Sequence, residues 1–365
     1  MTKLRILILH TSVGLGHKVI AQNIAASLPP EMFEVKLADV YQIQDGRLIR
    51  TGAKLHRFMN VQAPWLWRFF YNSRLFTNLS LRFRLKVAAK NYGQVWNVVQ
   101  EFQPDMIIAT QTSASAVVAF LKANRLFMGQ FGIAFSDFHL HRYWLYEQAD
   151  FYIANVQEQK EQMKALGIGS EKIFVCGFSS PPVPAVDRAQ VMAGLKIGSE
   201  KKVVLVANGS LGYGLHAQLL DQLASRPDWH LVVVCGKNQE AFEILRRQFS
   251  GRLNVTVLGF YQPMSELYAI ADIFLTKPGG LSVVEALAFN LPMIITGILP
   301  GQEEWNLRFL LKQRLVMSAA KDLLGQVAEE FRTGQFQRQL TLNPARQSLL
   351  GAPAAGKFIT ELLLR

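Results

Sequence analysis

Apolar runs recur along this chain at regular intervals, separated by mixed stretches long enough to form helices. Residues 4–9, 33–38, 106–109, 132–135, 151–154 and 173–176 make a first series, and 202–207, 230–235, 254–258, 273–276 and 293–296 a second. The alternation of these short runs with helical stretches predicts βαβ units around parallel sheets. Between the series, Ser179-Ser180-Pro181-Pro182-Val183-Pro184 resists helix and strand alike and predicts a linker. The pattern thus predicts an α/β protein of two doubly wound domains facing each other across a cleft. Residues 1–180 form the first and 181–350 the second, while 351–365 supply a final helix, from about Ala354 to Leu364, that packs back on the first domain.

Composition sharpens this picture. A chain of 365 residues with 50% hydrophobic and 18% charged positions has the makeup of a soluble globular protein, and its length favours two domains. The run at residues 4–9 is too short for a signal peptide and leads directly into a polar, glycine-containing stretch, and no segment reads as a clean membrane span. Cys176 and Cys235 lack the spacing of a zinc or redox pair, which suggests structural thiols in a reducing, cytoplasmic setting. The formal net charge of +12, from 39 Lys and Arg against 27 Asp and Glu, implies an anionic partner: nucleic acid, a membrane surface or a phosphorylated substrate.

The distribution of charge decides among these. Residues 46–100 contain no Asp or Glu, while Arg47, Arg50, Lys54, Arg57, Arg68, Arg74, Arg82, Arg84, Lys86 and Lys90 supply bases. Phe58, Trp65, Trp67, Phe69, Phe70, Tyr71, Phe76 and Phe83 are interleaved with them. A solvated basic face would not carry so many large rings, so this stretch predicts a surface that lies on an anionic bilayer, the inner face of the cell membrane. The competing reading of Trp65 to Tyr71 is a core helix. Nucleic acid is disfavoured, because rings clustered as Trp65, Trp67, Phe69 and Phe70 suit an acyl interface better than base stacking.

The candidate chemistry sits at strand ends. Thr276-Lys277-Pro278-Gly279-Gly280-Leu281-Ser282 reads as a strand end, a glycine turn and a helix start, where backbone N–H groups and the positive helix end can meet a diphosphate. Glu285 lies about one turn inside that helix, placed to accept hydrogen bonds from a ribose diol. After the next strand, Pro300-Gly301-Gln302-Glu303-Glu304 brings Gln302 and Glu303 to the same sheet edge. A second glycine loop, Asn208-Gly209-Ser210-Leu211-Gly212-Tyr213-Gly214, follows the first strand of the second series. It does not keep the G-x-G-x-x-G spacing of a dinucleotide site, so the two loops are expected to hold one diphosphate from both sides.

In the first series, Thr11-Ser12-Val13-Gly14-Leu15-Gly16-His17 turns into a helix running through Ala21, Ile24, Ala25 and Leu28. His17 at its start would be kept neutral by the local positive potential and could serve as a general base, or it could merely cap or pack. The cluster Ser136-Asp137-Phe138-His139-Leu140-His141-Arg142-Tyr143-Trp144 follows the strand at 132–135 and should lie at the same edge. Asp137 could orient His17 or hold an acceptor hydroxyl, and His139 and Trp144 would shape an acceptor pocket. The histidine spacing matches no recognised metal-ligand set.

These motifs together resemble a known family. Gly14 to His17, Ala63-Pro64-Trp65-Leu66-Trp67 with Phe70-Tyr71, Ser136-Asp137-Phe138 through Trp144, and the 276–285 and 300–303 blocks are similar to the processive diacylglycerol glucosyltransferases and monogalactosyldiacylglycerol synthases of glycosyltransferase family 28. Those proteins are relatives of the peptidoglycan N-acetylglucosaminyltransferase, with the GT-B fold of two Rossmann-like domains. The resemblance implies a UDP-hexose donor bound mainly by the second domain. Gly209, Ser210, Lys277, Gly279, Gly280, Leu281 and Ser282 would surround the diphosphate, Glu285 the ribose, and Gln302 and Glu303 the sugar. Phe260 and Met264, within Gly259-Phe260-Tyr261-Gln262-Pro263-Met264, would form the uracil pocket. It further implies His17 as the base, and the expected site has Asp137 as the second catalytic residue, Gly16, His139 and Trp144 on the acceptor side and Trp65, Trp67, Arg68, Phe69 and Phe70 meeting the bilayer.

The first loop departs from the galactolipid synthases, which tend to have an Asp and three glycines where this chain has Ser12, Gly14, Leu15 and Gly16, and this leans toward the bacterial glucosyl type. Asn208 stands where the other loop usually has glycine. No Asp-x-Asp pair is present to hold a metal against the diphosphate. The expectation is therefore an inverting, metal-independent hexosyltransferase without a cofactor, moving glucose from a UDP-sugar to diacylglycerol or glycosyl-diacylglycerol at a membrane surface. Alternatives are a related transferase for another lipid or polyprenyl acceptor, and a UDP-sugar-binding membrane sensor without turnover.

Overall fold

The computed structural model describes residues 3–11, 15–43, 63–178, 183–210, 212, 214–351 and 354–364. Ser12, Gly14, Arg47, Arg50, Lys54, Arg57, Phe58, Leu211, Tyr213 and the Ser179-Ser180-Pro181-Pro182 part of the linker lie outside the described residues. The chain divides into two compact units. One comprises Met1–Pro181, Leu299–Trp305 and Gly351–Arg365, and the other Pro182–Ile298 and Asn306–Leu350.

In the first unit, strands β1 (Leu4–His10), β2 (Phe33–Asp39), β3 (Met106–Ala109), β4 (Gln130–Ala134), β5 (Phe151–Ala154) and β6 (Ile173–Val175) form a parallel sheet in the order β2-β1-β3-β4-β5-β6. In the second, β7 (Lys202–Ala207), β8 (Trp229–Val234), β9 (Val255–Leu258), β10 (Ile273–Thr276), β11 (Met293–Ile295) and β12 (Met317–Ser318) are ordered β12-β11-β10-β7-β8-β9. The predicted runs are these strands, shifted by a residue or two at their ends. The exception is β12, whose two residues are too short to leave a pattern. Full burial explains the central runs: Ile6, Leu7, Ile8 and Leu9 of β1 and Ile273 and Leu275 of β10 have no exposed surface, whereas the edge strand β2 exposes Glu34 and Leu37.

Both orders contain a switch point, where the direction of winding reverses: between β1 and β3 in the first unit and between β7 and β10 in the second. In open parallel sheets, loops leaving the carboxyl ends of two such strands diverge and leave a crevice for ligand. Five of the loops singled out by sequence, after β1, β4, β7, β10 and β11, flank these two points or follow the adjacent strands.

Helices position the functional side chains. Helix α1 (Leu15–Ala26) follows β1, and ends two residues before the expected Leu28, which is nevertheless buried. From residue 64 to 91 the basic aromatic stretch forms α2 (Pro64–Asn72) and α3 (Arg74–Asn91). Pro64 suits the first turn of α2, where its missing N–H costs nothing. Ser73 ends α2 in an extended conformation and caps α3, its Oγ accepting from the Phe76 N–H at 3.3 Å. In the second unit, α4 (Met264–Ile270) precedes β10 and α5 (Gly280–Ala288) follows it.

The last helix, α6 (Ala355–Leu363), belongs to the first unit. Phe358 stacks on Phe174 of β6 at 3.5 Å and meets Phe151 of β5 edge-on at 5.4 Å, while the Gly356 N–H donates to Ser27 Oγ at 3.0 Å. A Cβ at Gly356 would come within 2.0 Å of the Ser27 carbonyl oxygen, so only glycine permits this approach.

Candidate functional site

In the first unit, the switch point brings His17 of α1 against Thr110, the residue after β3. The Nδ1–H of His17 donates to the Thr110 carbonyl at 2.7 Å, and Thr110 Oγ1 donates to the His17 carbonyl at 3.0 Å. This reciprocal clamp fixes the tautomer: Nδ1 keeps the proton and Nε2 keeps its lone pair. Burial lowers the His17 pKa from its usual value, opposed by the negative charge of Asp137 and the Thr110 carbonyl and assisted by His10. His17 is therefore a neutral imidazole near pH 7, fit to take a proton through Nε2. Burial, rather than the helix end named from sequence, is the leading cause.

The orienting bond goes to a backbone carbonyl, and Asp137 acts on His17 through its charge. Asp137 is buried, accepts from Ser136 Oγ at 3.1 Å, and has its own carbonyl held by Asn155 Nδ2 and Gln159 Nε2 at 2.9 and 2.8 Å. Trp144 is buried with its ring 6.1 Å from that of His17, forming a wall beside the imidazole. A Cβ at Gly16 would meet no atom within 4 Å, so the approach there is open. His139 stacks face to face on Trp305 at 4.5 Å. The neighbouring His141 donates through Nε2 to the Tyr71 carbonyl at 2.8 Å, and its pKa is lowered by burial to about 4.

The segment Leu299–Trp305 packs within the first unit, against α2. Trp305 Nε1 donates to Asn72 Oδ1 at 3.2 Å, and Arg68 pairs with Glu304. Gly301 adopts φ +87°, and a Cβ there would lie 3.0 to 3.1 Å from the rings of Tyr71 and Trp67. Glu303 is buried with Oε2 accepting from the Leu299 N–H at 2.7 Å, which closes its own loop, whereas Gln302 is exposed.

The two faces of α2 therefore differ. Trp67, Arg68, Tyr71 and Asn72 grip the loop, and Trp65 and Phe69, one turn apart, are 71% and 65% exposed. On α3, Leu75, Leu79 and Phe83 form an exposed ridge at helical spacing, with exposed Arg82, Lys86 and Lys90 forming a second. Two residues read from sequence as facing the bilayer also have partners on the protein. Arg68 is paired with Glu304, and Trp67 is tilted against Tyr71 at 6.1 Å. Phe70 is partly buried against Phe76, with ring centroids 4.5 Å apart. Arg84 turns inward over the Tyr143 ring at 4.3 Å.

In the second unit, the glycine loops after β7 and β10 meet. Gly209 has φ +76°, and a Cβ there would sit 3.1 Å from Lys277 Cε, so the glycine lets the lysine lie over the loop. Asn208 Nδ2 donates to the Gly214 carbonyl at 3.0 Å, closing the turn that carries Ser210. Helix α5 starts at Gly280 behind an extended Gly279, and no side chain caps its first N–H groups. With Leu281 and Ser282 in that first turn and Lys277 beside it, the crevice concentrates positive potential without using a side chain that a diphosphate would have to displace.

Glu285 is partly buried, and burial raises its pKa to about 7, partly offset by a hydrogen bond from the Tyr268 hydroxyl to Oε2 at 3.3 Å. Phe260 is half exposed with Lys237 Nζ 5.5 Å from its ring centre, and Met264 opens α4 after Pro263. A separate cavity of about 270 Å³ lies at the strand starts of this unit, lined by Arg188, Lys202, Asp272 and Glu330 among others. Its charges are engaged internally: Arg188 pairs with Asp272 at 3.4 Å, and Glu330 accepts the N–H groups of Phe336 and Gln337 at 2.9 Å. Among the described residues no group of His, Cys, Asp or Glu is arranged to hold a metal ion, and no helix is long and apolar enough to cross a membrane.

Sequence reasoning missed Thr110 and Tyr268. The first was findable as the residue that ends the Met106-Ile107-Ile108-Ala109 run beside the switch point. The second bears no motif.

Residues 17–180 match the family described as Monogalactosyldiacylglycerol (MGDG) synthase, and residues 188–310 match Glycosyl transferases group 1. A processive diacylglycerol beta-glucosyltransferase of Bacillus subtilis (strain 168) is 26% identical over 317 residues, 84% of this chain and 81% of that protein. One of the same name from Bacillus pumilus (strain SAFR-032) is 26% identical over 359 residues, 95% of this chain and 91% of that protein. Among solved structures, Anabaena Alr3699/HepE in complex with UDP-glucose is similar in fold, with a TM-score of 0.60 at 17% identity over 99% of each chain. The chain is thus a glycosyltransferase of the two-domain GT-B architecture, with one segment similar to the MGDG synthases and another similar to the group 1 glycosyl transferases.

Proposed function

We propose that this protein moves glucose from a UDP-sugar to diacylglycerol or a glycosyl-diacylglycerol at the inner surface of the cell membrane, with inversion at the sugar carbon and without a metal or cofactor. The observation that carries the reading is the meeting of two glycine loops over Lys277 at the second unit's switch point, with Glu285 one turn inside the following helix. That crevice offers backbone N–H groups, a helix end and one cation to a diphosphate, and a carboxylate to a ribose. The relatives named above supply the acceptor class, and their names specify a β product, which from an α-linked UDP-sugar means inversion.

In this reading the acceptor hydroxyl gives its proton to Nε2 of His17 as its oxygen attacks C1 from the face opposite UDP. The C1–O bond to the diphosphate breaks, and UDP leaves with the electron pair, its charge met by Lys277 and the N–H groups of Gly280, Leu281 and Ser282. Gln302, exposed, is the residue available to the hexose, and Glu303 shapes the loop that presents it. Phe260 and Met264 accept the uracil ring. Arg82, Lys86 and Lys90 contribute about 3 kcal/mol of attraction to an anionic leaflet, at roughly 1 kcal/mol each, and the rings of Trp65 and Phe69 add apolar burial.

The test is direct. The purified protein is incubated with diacylglycerol vesicles and, separately, UDP-glucose, UDP-galactose and UDP-N-acetylglucosamine, and the lipid product is identified with its anomeric configuration by NMR. A β-glucosyl lipid is expected from UDP-glucose. No glycolipid from any donor, or an α product, would overturn the reading.

A further inference from the structure

We propose that Tyr268 is the positioning residue of the nucleotide-binding carboxylate: its hydroxyl holds one oxygen of Glu285 so that the other faces the ribose diol. The inference rests on the donor site proposed above and adds to it a residue on a different element.

Tyr268 lies on α4 and is buried, its ring between Phe274 of β10 at 5.5 Å and Phe289 beyond α5 at 5.9 Å. Those two contacts fix the ring, so the position of its hydroxyl is set by the core and not by solvent. The O–H donates to Oε2 of Glu285 at 3.3 Å. A tyrosine has one proton to give, so the bond engages one carboxylate oxygen and leaves Oε1 for a ligand. Glu285 needs such a partner. A carboxylate lodged among Val284, Ala286 and the aromatic wall loses hydration, and without a donor it rotates toward water or takes up a proton. The displacement of its pKa to about 7 reports how little solvation it has. A ribose diol donates two O–H groups and binds best to a carboxylate that is ionised and already turned toward it, and Tyr268 favours both conditions.

Calorimetric titration of UDP, 2′-deoxy-UDP and 3′-deoxy-UDP into the full-length protein and its Tyr268→Phe variant tests this. The wild type is expected to bind UDP about tenfold more tightly than the analogue lacking the contacted hydroxyl, and Tyr268→Phe to weaken UDP about tenfold while leaving the deoxy analogue nearly unchanged. Glu285→Gln, which preserves shape, should erase the same discrimination, and with UDP-glucose the KM of Tyr268→Phe should rise by more than kcat falls. Equal weakening of all three nucleotides, or no change for UDP, would overturn the positioning role. Failure of the wild type to bind UDP at all would instead remove the donor site itself, and this proposal with it.

Discussion

At the scale of single residues, catalytic competence comes from what fixes a side chain as much as from the side chain. The imidazole of His17 would be an ordinary surface group if Thr110 did not hold Nδ1 and burial did not keep the ring neutral. A neutral base positioned by a carbonyl contributes roughly 10²- to 10⁴-fold to a proton-transfer step. His17→Ala is accordingly expected to lower kcat by at least about 100-fold in the vesicle assay while UDP affinity, measured by calorimetry, stays within about twofold. Retained turnover would assign the base elsewhere. His17 was legible from Gly14-Leu15-Gly16-His17 because a glycine turn between a strand and a helix places the next side chain at a strand end. Thr110 was not, since it acts through a carbonyl that every residue possesses, and Tyr268 was not, because it reaches Glu285 from another helix 17 positions away.

At the scale of elements, α2 and α3 are where composition spoke most loudly and least finely. The absence of acids and the density of rings between residues 46 and 100 pointed to a bilayer-facing surface, but composition averages over all sides of a helix. The helical period separates them: Trp65 and Phe69 face out, whereas Trp67, Arg68, Tyr71 and Asn72 hold the Leu299–Trp305 segment. Arg84, counted among the bases, is turned onto Tyr143. Replacing Trp65 and Phe69 together by Ser should reduce flotation with anionic vesicles at least tenfold while the circular dichroism spectrum is retained, because neither ring is in the core. Replacing Arg82, Lys86 and Lys90 by Gln should abolish the preference for anionic over neutral vesicles. Unchanged flotation in both variants would place the membrane contact elsewhere.

At the scale of the whole molecule, topology was the most legible feature. The central strands, buried on both faces, announce themselves as apolar runs, the edge strands β2 and β9 were found from shorter apolar content, and only β12, two residues long, escaped. The allegiance of Leu299–Trp305 to the first unit was not legible, because it depends on the stack of Trp305 on His139 and the fit of Gly301 against Tyr71, contacts between residues far apart in sequence. Stability should carry the mark of buried titratable groups. Burial lowers the pKa values of His10, His17, His141 and His230, so the unfolded chain binds protons below about pH 6.5 that the folded chain refuses, and stability is lost as pH falls from 6.5 toward 4. Glu285 works in the opposite sense. With its pKa raised from 4.5 to about 7, its contribution is fully present below 4.5 and is lost as pH rises through 7. The two windows overlap and oppose one another between pH 4.5 and 6.5, so in thermal melts from pH 4 to 8 Glu285→Gln should make the rise of stability with pH steeper over that interval.

The closing helix has a practical consequence for anyone who wishes to dissect this enzyme. Because Phe358 completes the wall beside Phe151 and Phe174, and Gly356 is seated on Ser27, the first unit is assembled from segments far apart in the sequence. A single cut near residue 181 would yield a fragment with a bare hydrophobic flank and a second fragment trailing an orphaned helix. Independent expression of the halves would call for grafting residues 354–364 onto the front piece, and a bulky fusion at the carboxyl end would need a spacer to leave that seat undisturbed.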